Sequence, residues 1–270
     1  MKKTILSSKG LSAWAIAAAM AVAVVSCDKN DNPVTPTGPT GDLTVSDQTV
    51  SQDMITVGKV NMSQEGWVVV HKSNGNGGPI IPDIISVPKQ VDAGTSDSVK
   101  VQLDSTVSLQ DGDTVWVMLH TDNGTEGQYE FDGQNGLDAP LLNSDSSLVM
   151  KSIIVSKPSV TADDQPVNNH EITIAKVNAG TDGWLVVHND NGLGGMVLPG
   201  DVGKTHVQAG ENTNVVVKLD STVTFNTGQK LFLMLHIDAD PVGEYDFPGV
   251  DVPEIFGTAQ DIVLTSITVQ

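Results

Sequence analysis

Most of this chain is one unit written twice. Residues 55–71, ITVGKVNMSQEGWVVVH, return as residues 172–188, ITIAKVNAGTDGWLVVH. Residues 99–107, VKVQLDSTV, return as residues 215–223, VVVKLDSTV. Val117-Met118-Leu119-His120 matches Leu233-Met234-Leu235-His236, and Gly127-Gln128-Tyr129-Glu130-Phe131 matches Gly243-Glu244-Tyr245-Asp246-Phe247. The offset of about 116 residues exceeds any solenoid period and equals a whole small domain. Two tandem domains follow, residues 53–157 and 168–270, each expected to fold around its own core. Residues 158–167, with Pro158 and Pro166, read as the linker.

Within each unit the hydrophobic period is two. Val99, Val101 and Leu103 alternate with Lys100, Gln102 and Asp104, as Val215, Val217 and Leu219 alternate with Val216, Lys218 and Asp220. Such alternation marks strands with one face on a core. Asn74-Gly75, Asp111-Gly112, Asn123-Gly124, Asp132-Gly133 and Asn191-Gly192 supply turns between them. No long helical pattern is present after the N-terminus. The expected class is all-β: two tandem immunoglobulin-like β-sandwich domains.

The N-terminus reads as an address. Lys2, Lys3 and Lys9 precede an apolar run over residues 11–25, which is too short to span a bilayer. Val24-Val25-Ser26-Cys27 resembles a bacterial lipobox. That resemblance implies cleavage of a signal peptide (1–26) and lipidation of Cys27, hence a membrane partner through lipid and an outer-membrane or cell-surface location. Cys27 is the only cysteine, so it has no partner for an internal disulfide. Residues 27–52, rich in Pro, Gly, Asp and Thr, read as a flexible tether. Acidic residues just behind the cysteine resemble the surface-export signal of lipoproteins in the Bacteroides group.

The order GWVVVH, Gly-rich loop, valine strand ending in Leu-Asp, M-L-H-x-D, G-x-Y-[DE]-F and a final strand resembles a domain family of unknown function from secreted and surface proteins of archaea and bacteria. The residues that carry the likeness are Trp67, His71, Leu103, Asp104, Met118, His120, Asp122, Tyr129 and Phe131. In the second copy they are Trp184, His188, Leu219, Asp220, Met234, His236, Asp238, Tyr245 and Phe247. The resemblance implies an extracellular β-sandwich and supplies no catalytic residues.

Charge excludes some partners. The chain carries 33 Asp and Glu against 14 Lys, with no Arg, for a net −19. Nucleic acid needs clustered cations and is excluded on this ground. No G-x-S-x-G, H-E-x-x-H or phosphate-loop lysine is present, so an enzyme is not expected. A non-enzymatic surface protein that binds or displays is the leading reading, with a protein or glycan ligand.

The alternative is a metal-binding envelope protein. By strand alternation Trp67, Val69 and His71 share a face, as do Trp116, Met118 and His120. If those faces meet, each domain gathers two imidazoles and a thioether near Asp122 or Asp238. The candidate ligands are therefore His71, His120 and Asp122, and His188, His236 and Asp238. Imidazole and thioether suit copper, and imidazole suits zinc. A blue-copper centre is excluded because Cys27 lies outside the domains. The Asp-rich loops 121–126 and 132–138, and Asp238, Asp240, Asp246 and Asp251, make calcium or another divalent ion a second candidate. No cofactor is certain from sequence.

Overall fold

The computed structural model describes residues 38–239, 241–257 and 261–270. The signal sequence, Cys27 and the first part of the tether, up to residue 37, lie outside the described residues. Among the described residues there is no helix, and the class is all-β, as the period of two requires.

The first repeat holds β1 (Gly41–Thr44), β2 (Gln48–Thr49), β3 (Met54–Met62), β4 (Gly66–Lys72), β5 (Lys89–Val91), β6 (Gly94–Gln102), β7 (Thr114–Thr121) and β8 (Met150–Ser156). The second holds β9 (Ser159–Thr161), β10 (Glu171–Ala179), β11 (Gly183–Asn189), β12 (Gly203–Val207), β13 (Gly210–Lys218), β14 (Lys230–Ile237), β15 (Ile255–Phe256), β16 (Asp261–Ile262) and β17 (Leu264–Thr268). In repeat 1 a sheet ordered β1-β3-β6 faces one ordered β2-β8-β7-β4-β5. In repeat 2 the order β9-β10-β13 faces β12-β11-β14-β17. Each repeat is therefore a sandwich with its core between two layers, antiparallel except for the parallel β2–β8 pair.

The cores follow the sequence pattern. Ile55, Val57, Val99 and Val101 meet Val68, Val70, Val115, Val117 and Leu119 in repeat 1. Ile172, Ile174 and Val217 meet Leu185, Val187, Leu231, Leu233 and Leu235 in repeat 2. Along β3 the inward set shifts from Ile55 and Val57 to Val60 and Met62. The shift falls where Gly58 and Ser98 drop out of the ladder, with Ser98 at φ 52°. Repeat 2 makes the same change opposite Asn214, also at φ 52°.

The domain boundaries differ from the sequence reading in two places. Residues 41–50, assigned to the tether, form β1 and β2 and bury Val45 and Val50. Residues 159–161, assigned to the linker, form β9. Both segments are the same element of the repeat: β1 pairs with β3 as β9 pairs with β10. Their few apolar residues lie among Thr, Ser and Asp, so local composition hides strands that only pairing stabilises.

The repeats are docked. Phe256, from repeat 2, is buried in the core of repeat 1. The Asp53 carboxylate accepts the Gly257 amide at 2.8 Å. Ser51 Oγ donates to both oxygens of Glu254 at 3.1 and 3.0 Å, and the Gln52 amide donates to Oε1 at 3.1 Å.

Candidate functional site: a buried histidine pair in each repeat

β4 and β7 pair with Trp67 opposite His120, Val69 opposite Met118 and His71 opposite Trp116. In repeat 2, β11 and β14 place Trp184 opposite His236, Val186 opposite Met234 and His188 opposite Phe232. The two faces that alternation singled out therefore do meet. They meet on the outer side of the sheet, away from the main core. There Trp67, Val69 and Met118 form a second apolar cluster, closed by Ile84, Tyr129, Leu148 and Met150.

That second core explains β4. Its residues are buried at both parities, from Gly66 through His71. A strand covered on both faces reads as an unbroken apolar run. The run WVVV was the signal in sequence that a cover existed over the outer face.

The histidines face each other diagonally across the strand pair. Ring centroids are 5.9 Å apart for His71 and His120 and 6.1 Å for His188 and His236. All four side chains are fully buried. Each Nδ1 contacts a backbone carbonyl: His71 to Asp83 at 2.8 Å and Ile80 at 3.1 Å, His120 to Asp138 at 2.7 Å. His188 contacts Gly200 and His236 contacts Asp251, both at 2.8 Å. A carbonyl oxygen only accepts, so each Nδ1 carries a proton, and a neutral ring held this way has its lone pair on Nε2. All four Nε2 atoms are buried without a hydrogen-bond partner.

Burial favours the neutral form of His71, His120 and His236. Desolvation pulls His120 down to about 4, aided by His71 beside it and opposed by the carbonyl and carboxylate of Asp138. His71 and His236 are lowered by the same burial. An uncharged imidazole with Nδ1–H held by a carbonyl is the state that binds a metal through Nε2.

The repeated motifs build the enclosure. The Gly-rich loops turn on Asn74 and Asn191, whose Oδ1 atoms accept the amides of Asn76 and Gly78, and of Leu193 and Gly195. Beyond these turns the chain comes back and offers carbonyls to His71 and His188. The G-x-Y-[DE]-F segments form the other wall. Phe131 and Tyr129 stand edge-on to His120 at 4.9 and 5.5 Å, as Phe247 and Tyr245 stand to His236 at 4.8 and 5.6 Å. The indole nitrogens of Trp67, Trp116 and Trp184 and the Tyr245 hydroxyl are also buried without partners. Indole N–H only donates, so lone pairs for a cation come from the imidazoles.

Asp122 and Asp238 do not join the pairs. Asp122 takes Gln90 Nε2 and the Gly127 amide, both at 3.1 Å. Asp238 takes His206 Nε2 at 3.0 Å and the Gly243 amide. Both carboxylates tie a neighbouring strand to the turn after the histidine. The sequence reading placed Asp138 and Asp251 among the oxygen donors of calcium loops, whereas both are fully buried. Asp138 Oδ1 accepts the Asn123 amide at 3.0 Å and Oδ2 accepts that of Glu130 at 2.7 Å. Asp251 does the same for Ala239 and Asp246, both at 2.8 Å. Each thus pins the aromatic wall while its own carbonyl holds a histidine. No local pattern marks them, because their role depends on loops meeting across the site.

The calcium loops are used locally as well. Asp132 Oδ1 accepts the Gln134 and Asn135 amides at 2.8 and 2.7 Å, an Asx-turn. Among the described residues no group of three or more His, Cys, Asp or Glu is arranged around a common centre.

No curated protein matches the chain. Among solved structures, the CBD12 fragment of CALX1.2 matches at 8% identity and a TM-score of 0.21, covering 85% of this chain and 99% of its own. A Mobiluncus mulieris adhesin with intramolecular cross-links matches at 11% identity and 0.23, covering 86% and 98%. At scores this low the chains do not superpose as wholes, and nothing about this protein follows from them. The duplication, by contrast, is recovered at family level. Matching one family model twice, over residues 41–156 and 158–270, the chain belongs to the family described as domain of unknown function DUF7282.

Proposed function

We propose that this is a non-enzymatic envelope protein, lipid-anchored at Cys27, whose two β-sandwich domains each capture one metal ion between paired histidines. The observation that carries the reading is the set of four buried Nε2 lone pairs, two in each repeat, without partners. An unsatisfied buried polar atom costs about 1–3 kcal/mol, and this chain keeps four at equivalent positions. Carbonyl-held Nδ1 and ring centroids near 6 Å support a bridging ion. Two metal–nitrogen bonds of about 2.0 Å, with a ring radius of about 1.1 Å at each end, place the centroids roughly 6 Å apart at a wide angle. The lone cysteine after a lipobox-like run supports the anchor, and the acidic surface favours cation approach.

Equilibrium dialysis of the chain against single transition metals, read by elemental analysis, tests this reading. Two ions per chain are expected. His71→Asn with His120→Asn should leave one, because Asn keeps a donor near the Nδ1 position and lacks Nε2. Unchanged stoichiometry in that variant would defeat the reading. For the anchor, Cys27→Ala should abolish labelling by fatty acid and partition into detergent.

A further inference from the structure

We infer that the ion each pair takes is soft and monovalent, of the Cu(I) class. This rests on the proposed metal capture and names its ligand.

The first argument is charge. The site is apolar and its two nitrogen donors are neutral. Asp138 and Asp251 spend their carboxylate oxygens on backbone amides, Asp122 and Asp238 are held elsewhere, and of the other carboxylates that act on the rings through space Asp83 is exposed and Asp201 pairs with Lys204 at 3.1 Å. The cost of burying an ion rises with the square of its charge, so a divalent ion here costs roughly four times as much as a monovalent one. Zinc sites offset that cost with four donors, commonly anionic, and calcium sites with 6–8 oxygens. This site offers neither.

The second argument is donor type. Met118 stands on the same face, on the rung between Trp67–His120 and His71–Trp116, and is fully buried. Met234 holds the equivalent rung between Trp184–His236 and His188–Phe232. Thioether and imidazole together select Cu(I), whereas Cu(II) asks for a tetragonal set of nitrogen and oxygen. Val69 and Val186, opposite the methionines, are apolar, and across the next strand the Met118 rung continues to a second thioether, Met150, while the Met234 rung continues to Leu264, so thioether is the only side-chain donor type those rungs add.

The third argument is the wall. Phe131 and Tyr129, or Phe247 and Tyr245, pack edge-on against one ring of each pair, and Trp67 or Trp184 lies opposite that same histidine. Aromatic walls stabilise a cation of low charge density and exclude the water that a hard divalent ion retains.

The test is an anaerobic titration of the full chain with Cu(I) against a competing chelator, with Ag(I) as a redox-inert probe and Zn(II) as the divalent comparison. Two Cu(I) per chain, bound at least about 1,000-fold more tightly than Zn(II), are expected. Met118→Leu with Met234→Leu, which conserves volume, should weaken Cu(I) and Ag(I) at least about tenfold and leave the melting temperature and Zn(II) binding unchanged. X-ray absorption at the copper edge should show nitrogen scatterers together with sulfur. Zn(II) or Cu(II) bound through the histidines as tightly as Cu(I), or Cu(I) binding indifferent to the methionines, overturns the soft-ion assignment while leaving metal capture standing. Absence of any ion that depends on the histidine pairs overturns both, and leaves the Nε2 atoms sharing a proton or a buried water.

Discussion

Asp138 couples two jobs in one residue. Its carboxylate accepts two amides of the aromatic wall and its carbonyl holds His120. Asp138→Ala leaves those part-buried amides without their acceptors, and should cost about 1–3 kcal/mol in denaturant unfolding. Asp138→Asn keeps one acceptor oxygen and should recover part of that loss. If both variants unfold like the parent, the wall is held by something other than this carboxylate. Glycine at the start of the GW motif has an equally specific reason. A Cβ at Gly66 would run into the His120 carbonyl and lie 2.6 Å from Met62 Cε, and one at Gly183 would strike the His236 carbonyl. Backbone cannot yield cheaply at that point, so Gly66→Ala should cost more than about 2 kcal/mol. Gly77 sits in open space at φ 83°, and Gly77→Ala should cost only about 1 kcal/mol. A calorimetric comparison of the two variants checks the order.

At the level of elements, the same strand pair serves two cores. β4 and β7 give Val68, Val70, Val117 and Leu119 to the inside of the sandwich and Trp67, Val69, His71, Met118 and His120 to the outer cluster. β15 serves across domains. Phe256, 5% exposed, fills the core of repeat 1, and Lys157 Nζ lies 5.5 Å from its ring centre. Phe256→Ala should cost about 3–5 kcal/mol, although the residue belongs to repeat 2 by sequence. Hydrogen exchange locates the effect: amides of β7 and β8 should exchange faster while those of β10 and β13 change little. Faster exchange confined to repeat 2 would contradict this placement.

For the whole molecule, the docking contact is sensitive to pH. Glu254 is 1% exposed, and burial raises its carboxyl from 4.5 to about 7, with Asp53 adding repulsion and Ser51, Gln52 and Ile255 opposing. The folded value lies above the unfolded one, so the contribution is full below about 4.5 and is lost as pH rises through about 7. Between those limits the docked form should lose roughly 3 kcal/mol. Glu254→Gln keeps an acceptor for Ser51 and Gln52 and should remove this dependence, making the variant more stable than the parent at pH 8. Parallel stability profiles from pH 5 to 8 for variant and parent would refute the assignment. The docking also means that a fragment ending at residue 157 lacks Phe256 and should be less stable than the same repeat in the full chain. That modifies the expectation that each repeat folds around a core wholly its own.

The duplication, the all-β class and the inward residues of β6, β7 and β13 are legible in the chain itself, because periodicity of two and internal repetition are local signals. The pairing of the two histidine-bearing faces was conditional in sequence and was decided by the β4–β7 and β11–β14 registers. A shift of one residue would have sent His120 to the opposite side of the sheet from His71. Nor could sequence separate Asp122, which ties strand to turn, from Asp138, which builds the site, since both lie in acidic loops. The boundary near Gly41 and the transfer of Phe256 between repeats are likewise tertiary outcomes. They depend on which surfaces are brought together by segments as much as 200 residues apart, and no local pattern encodes that distance.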